Sequence, residues 1–241
     1  MAYSNLEGKN VVIIGGTAGI GLAAAKMAAD QGAKVWAAGR SEAHIETARQ
    51  VSGGSFEVRQ ADTHDAAALD AIFNEVGKID HLVSAAVGGE RTLKPFLQQT
   101  QEQFQAAYDK LWGYCNVVRV GAPYLEDDGA ITLVSGSPAR KLAVGQSPLS
   151  CVGASVENLA RCLALELAPI RVNVVSPGTI NTAMFDHFGD KKEETLQGMT
   201  QSHLIKRAGS SEEVAAGILF VMENEFVTGT TVDVDGGRLL S

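Results

Sequence analysis

The chain has 241 residues, 45% of them hydrophobic, and 20 basic against 28 acidic side chains leave a net charge of −8. That length suits one α/β unit able to bury on the order of 70% of its unfolded surface. With no clustered Lys or Arg, the composition excludes a general nucleic-acid or anionic-membrane binder, which must neutralise phosphates.

Short β-branched runs alternate with longer Ala- and Leu-rich helical stretches. A strand is predicted at Val11–Gly15 and a helix at Ile20–Gln31. Lys34–Ala38 reads as the second strand, and Ser41 as the N-cap of a helix through Ala48. Further strands are expected at Ser55–Gln60, His81–Ser84, Ala130–Ser135, Arg171–Val175 and Thr231–Asp235. Helices are expected around Ala66–Val76, Thr100–Tyr124, Ser150–Leu167 and Ser211–Met222. Strands that alternate with helices imply a parallel sheet, because each parallel crossover needs a long connection. The expected fold is therefore a single-domain, doubly wound (Rossmann) seven-stranded parallel sheet with helices on both faces. Asn181–Gly209, with His187, Lys191, Lys192 and His203, is the long stretch without a clear strand and is expected to be a substrate lid.

Cys115, Cys151 and Cys162 are widely spaced, form no CxxC and have no His at ligand spacing, so neither a disulfide framework nor a metal site is expected. Cys162 sits in an apolar helical pattern and reads as a small buried hydrophobe. Met1–Asn10 lacks the features of a signal peptide, and no apolar run approaches the roughly 20 residues of a membrane span. A soluble, cytoplasmic protein is expected.

Between the first strand and first helix lies Ile14-Gly15-Gly16-Thr17-Ala18-Gly19-Ile20-Gly21. Gly15, Gly19 and Gly21 permit a tight turn, close approach of backbone to phosphate, and close helix packing. The helix N-terminus would then present free N–H groups to a pyrophosphate. At the end of the second strand no acidic residue awaits a ribose 2′-hydroxyl. Arg40 and Ser41 stand there instead, which favours a 2′-phosphate and hence NADP(H) over NAD(H).

These residues resemble the short-chain dehydrogenase/reductase family over nearly the whole chain. Gly15 to Gly21, including Thr17, Ala18 and Ile20, looks like its glycine motif, and Ala61-Asp62 like the pair that brackets the adenine. Ser84-Ala85-Ala86-Val87 stands where the family has Asn-Asn-Ala-Gly, with Ala85 and Ala86 small enough to contact the adenosine side. Arg171-Val172-Asn173 and the turn Pro177, Gly178, Ile180 and Thr182 look like the sixth strand and the segment that holds the nicotinamide. Thr228-Gly229 and Val234–Gly237 are similar to the family's C-terminal strand. The resemblance implies a small-molecule substrate and a homo-oligomer, a dimer or tetramer, with Thr100–Tyr124 and Ser150–Leu167 packed against their copies. Leu159, Leu163 and Leu167 suit that contact or an ordinary core equally.

The family's Tyr-x-x-x-Lys, which donates the proton and holds the nicotinamide ribose, is missing. Leu149 aligns with the tyrosine and Gly153 with the lysine, and residues 142–190 contain no Tyr and no Lys. Tyr3, Tyr108, Tyr114 and Tyr124 all lack a Lys four residues on. The family serine falls in Ser135-Gly136-Ser137, with Gly136 in register, so Ser135 and Ser137 are the candidate hydroxyls. The helix asparagine of the family's water relay aligns with Lys110. Arg140, Lys141 and His187 are further substitutes for the acid. Three functions stay open: an oxidoreductase with an altered or absent protein proton donor, an inactive dinucleotide-binding sensor or partner subunit, and a non-redox enzyme using the same pocket. Leu93–Phe96, Leu142–Leu149 and Met184–Phe188 are expected to give the pocket apolar walls.

Overall fold

The computed structural model describes residues 6–89 and 92–241; Tyr3 lies outside them. The strands are β1 (Asn10–Ile14), β2 (Lys34–Gly39), β3 (Glu57–Gln60), β4 (Ile79–Ser84), β5 (Leu125–Val134), β6 (Arg171–Pro177) and β7 (Thr231–Val234). The helices are α1 (Gly19–Asp30), α2 (Glu42–Ser52), α3 (Ala66–Val76), α4 (Gln101–Gly121), α5 (Ser147–Glu166), α6 (Lys192–Thr200) and α7 (Ser211–Glu223). All seven strands pair in parallel in the order β3-β2-β1-β4-β5-β6-β7.

Strands covered on both faces need apolar residues at successive positions rather than alternate ones. In β1, Val11 and Ile13 join one core with α1, α2 and α7, while Val12 and Ile14 join the other with α3, α4 and α5. Local signals place the helix starts. Ser41 and Asp65 cap α2 and α3, and Thr100 and Ser210 form capping boxes with Gln103 and Glu213.

Three expectations change. β5 begins at Leu125, because Glu126, Asp127 and Asp128 interrupt its apolar pattern without ending the strand. The stretch expected to be a lid is helical: a 3₁₀ segment, Ala183–Lys191, runs into α6, and Gly189 kinks the junction at φ 54°. Cys162 is exposed rather than buried. It lies two residues beyond buried Ala160, about 200° around α5, which turns it away from the core. Leu159, Leu163 and Leu167 are half-buried against the core.

Candidate active site

β1 pairs with β2 on one side and β4 on the other, so the chain reverses direction across the sheet at the carboxyl end of β1. Ligands of open α/β sheets bind at such switch points. Here the glycine turn closes with Gly15 and Gly16 donating to Ala38 O at 2.8 and 3.0 Å. Gly15 has φ 86°, and a Cβ there would lie 2.3 Å from Ala86 N; one on Gly21 would lie 2.1 Å from Gly15 O. Both glycines are dictated by backbone approach. Thr17 is buried against Gly39, where a Cβ would meet its Oγ1 at 2.0 Å. Ala18, extended at the N-cap of α1, supplies no side-chain cap, which leaves the first N–H groups of the helix for an anion. Ile20 behind them packs on the core.

The turn after β6 closes the other side. Gly178 lies against Asp235, whose Cα would be 2.7 Å from an added Cβ, and Ile180 is buried and bridges to Gly209. Pro177 ends β6 beside Val234. Thr182 faces Gly19, with its Cγ2 3.7 Å from where a Cβ on that glycine would stand. The glycine turn therefore lies against Ala85–Ala86 on one side and Thr182 on the other. Thr179 Oγ1 and Ser137 Oγ are buried there without hydrogen-bond partners among the described residues. Such a cradle of close backbone and orphaned hydroxyls fits a dinucleotide.

At the end of β2, Arg40 Nη1 lies 3.3 Å from Asp62 Oδ2. Asp62 also accepts from the His64 N–H at 2.9 Å. That backbone bond, aided by the Arg40 guanidinium, holds its carboxyl below the usual range. Ala61 is buried and donates to Gly39 O at 3.0 Å. Ser41 Oγ accepts from the His44 N–H, so its hydroxyl already caps α2.

On the side of the expected chemistry, Ser135 Oγ donates to Gly153 O at 3.0 Å and serves to fasten β5 to α5. Lys110 Nζ donates to Ser135 O at 3.3 Å and lies 5.3 Å from the Tyr114 ring centroid. Tyr114, buried, places its hydroxyl 3.0 Å from Ala86 O and 3.1 Å from Val134 O. The loop after β4 is thereby joined to the end of β5 beneath Lys110. Leu149 is half-buried on α5. Gly153 faces Ala139: a Cβ on it would lie 2.9 Å from that of Ala139.

Arg140 stands exposed on the turn after β5, yet it is fixed by two carboxylates. Its Nε lies 3.2 Å from Glu157 Oε1 and its guanidinium grips Asp233 with both Nη atoms. Burial pushes the Glu157 carboxyl up, against the opposing pull of Arg140. This clamp joins the β5–α5 turn to α5 and β7, across 93 residues of sequence. Lys141 is half-buried, its N–H donating to Ser137 O. His187 is exposed on the 3₁₀ segment, held by Met184 O at 2.8 Å and tilted against the Phe188 ring. Leu142 and Val144, 73% and 90% exposed, and the half-exposed Met184 and Phe188 present apolar surface on the β5–α5 loop and the Ala183–Lys191 segment.

Sequence reasoning missed Tyr114, Ala139 and Glu157. Tyr114 stands one helical turn beyond Lys110, which is the available signal. Ala139 and Glu157 carry none, since only the fold brings them to Gly153 and Arg140. Among the described residues no group of His, Cys, Asp and Glu could hold a metal ion, and no helix is long and apolar enough to cross a membrane.

An all-parallel sheet with a glycine-rich turn at its switch point defines a dinucleotide-binding oxidoreductase fold. A family model described as enoyl-(acyl carrier protein) reductase matches residues 15–238. A short-chain dehydrogenase/reductase of Acremonium sp, ucsE, is 32% identical, with 98% of this chain and 97% of that protein covered. The solved structure of the MalC reductase/Diels–Alderase from Malbranchea aurantiaca is 30% identical, with a TM-score of 0.89 over 98% of this chain and 97% of that one. A small-chain dehydrogenase solved in complex with NADPH is also 30% identical, with a TM-score of 0.80 over 98% and 100% of the two chains. The chain belongs to the short-chain dehydrogenase/reductase family, and the relatives it resembles are oxidoreductases.

Proposed function

We propose that the protein is an NADP(H)-dependent oxidoreductase that transfers hydride to or from a small apolar carbonyl, enone or imine. The observation that carries this reading is the convergence of Gly15, Gly19, Ala86 and Thr182 at the switch point, with Arg40 at the far end of the groove. The similar structure in complex with NADPH supports the phosphorylated cofactor. When bound, the nicotinamide supplies or accepts the hydride. The chain binds the pyrophosphate with the α1 N-terminus, the 2′-phosphate with Arg40, and the nicotinamide end with the Pro177–Thr182 turn. Ser137 Oγ, without a partner among the described residues, is the hydroxyl offered to a substrate oxygen after β5, since Ser135 is committed to Gly153 and Lys110 to the Ser135 carbonyl. Loss of a general acid slows such a reaction by roughly 10²–10⁴-fold, whereas holding the reactants in register is worth about 7–11 kcal/mol. Turnover can therefore survive with water or a non-standard donor.

Apolar surface at Leu142, Val144, Met184 and Phe188 supports an apolar substrate beneath the lid. The Malbranchea protein, described as both reductase and Diels–Alderase, supports reduction as the chemistry. A groove of about 830 Å³ lined by Phe96, Leu97, Phe104, Tyr108 and Trp112 supports the homo-oligomer, since Tyr108 and Trp112 point about 200° away from Lys110 around α4. A cytoplasmic location completes the reading.

The test is NADPH consumption with a panel of carbonyl, enone and imine compounds. Turnover of at least one is expected. Tight NADPH binding with no turnover of any would contradict catalysis and leave the alternative, an NADP(H)-binding sensor or partner subunit.

A further inference from the structure

We propose that Lys110 on α4 supplies the ammonium that α5 lacks, donating to the hydroxyls of the nicotinamide ribose. The inference rests on the NADP(H) reading above. It starts from Gly153, which cannot be the seat of a displaced lysine without other change, because Ala139 closes the space beside it. An ammonium reaches the end of β5 from the neighbouring helix α4. Ser135 links the two directly: its carbonyl accepts from Lys110 Nζ at 3.3 Å, and its hydroxyl donates to Gly153 O at 3.0 Å. One residue at the end of β5 thus touches both the lysine that is present and the backbone of the position where one is missing.

The approach of α4 to the cleft makes this reach possible. A Cβ on Gly88 would lie 2.8 Å from Lys110 N, so the loop after β4 passes directly over the helix at Lys110. Tyr114, one turn further on, bonds to the loop after β4 and to the end of β5 and lies under the ammonium. The charge is therefore held at the carboxyl edge of β4 and β5, where ligands of this sheet type bind. A lysine's flexible stem lets the ammonium swing from the Ser135 carbonyl towards a pair of ribose hydroxyls, which offer a similar bond.

Binding separates this role from a structural one. NADPH and adenosine 2′,5′-bisphosphate, which lacks the nicotinamide ribose, are titrated against wild type, Lys110→Met and the triple variant Lys110→Met/Ala139→Gly/Gly153→Lys. Removal of one charge-assisted hydrogen bond predicts an NADPH Kd about tenfold higher or more in Lys110→Met, with the bisphosphate Kd unchanged. Recovery of NADPH affinity in the triple variant would support the relocation further. Equal weakening of both ligands, or none, in a Lys110→Met protein whose circular dichroism matches wild type overturns the proposal alone. Should Lys110→Met fail to fold, Lys110→Gln takes its place under the same outcomes. Wild type that binds neither ligand overturns the NADP(H) reading and this proposal together.

Discussion

Gly153 and Ala139 share one space: a Cβ on Gly153 would stand 2.9 Å from the Cβ of Ala139, closer than packed carbon atoms tolerate. The two residues lie on α5 and on the turn after β5, so neither moves without the other. Introducing Gly153→Lys into the protein should cost about 1–3 kcal/mol through overpacking. Adding Ala139→Gly should recover most of that loss. Urea unfolding of wild type and both variants checks this, and a fully stable single Gly153→Lys would contradict the packing described.

The glycine turn should respond unequally to added methyl groups. Gly15→Ala drives a Cβ into Ala86 and should abolish cofactor binding or folding. Gly19→Ala meets only Thr182, at 3.7 Å, and should cost about 1–2 kcal/mol for its positive φ. Thermal melts with and without NADPH distinguish them.

Arg40 is shared between Asp62 and the proposed 2′-phosphate. Arg40→Ala should weaken NADPH by about tenfold or more and leave NADH nearly unchanged, because only the former loses a charge-assisted contact. The NADPH preference should also shrink as salt is raised, since Arg40 is exposed. Parallel titrations at two salt concentrations read both effects.

His81 is buried on β4 and its pKa is lowered to about 4, first by burial. A base with a depressed folded pKa binds its proton more readily when unfolded. Stability from this site is therefore intact above about pH 6.5, falls as pH drops towards 4, and changes no further below it. The full effect is about 3 kcal/mol. Denaturant titrations across that window should show the slope in wild type and its loss in His81→Leu.

Much of the fold is legible in the sequence because apolar runs and helix caps are local. Ser41 caps α2 where expected, and Thr100 caps α4. α6 escapes because only Leu196 and Thr200 of its residues are buried, too few to make a periodic stripe. The cofactor side is legible for the same local reason, since Gly15 and Gly19 announce their own turn. The opposite side depends on contacts distant in sequence. Arg140 looks like a loop charge until β7 brings Asp233 to it, and Ser135 looks free until α5 presents Gly153 O. Lys110 gains significance only when α4 carries it to the end of β5.

The central claim, an NADP(H) cofactor seated in this cleft, is tested most directly by fluorescence titration of the wild-type protein with NADPH and NADH. Saturable NADPH binding, about tenfold or more tighter than NADH, is predicted. Binding of neither, or tighter binding of NADH, would contradict it.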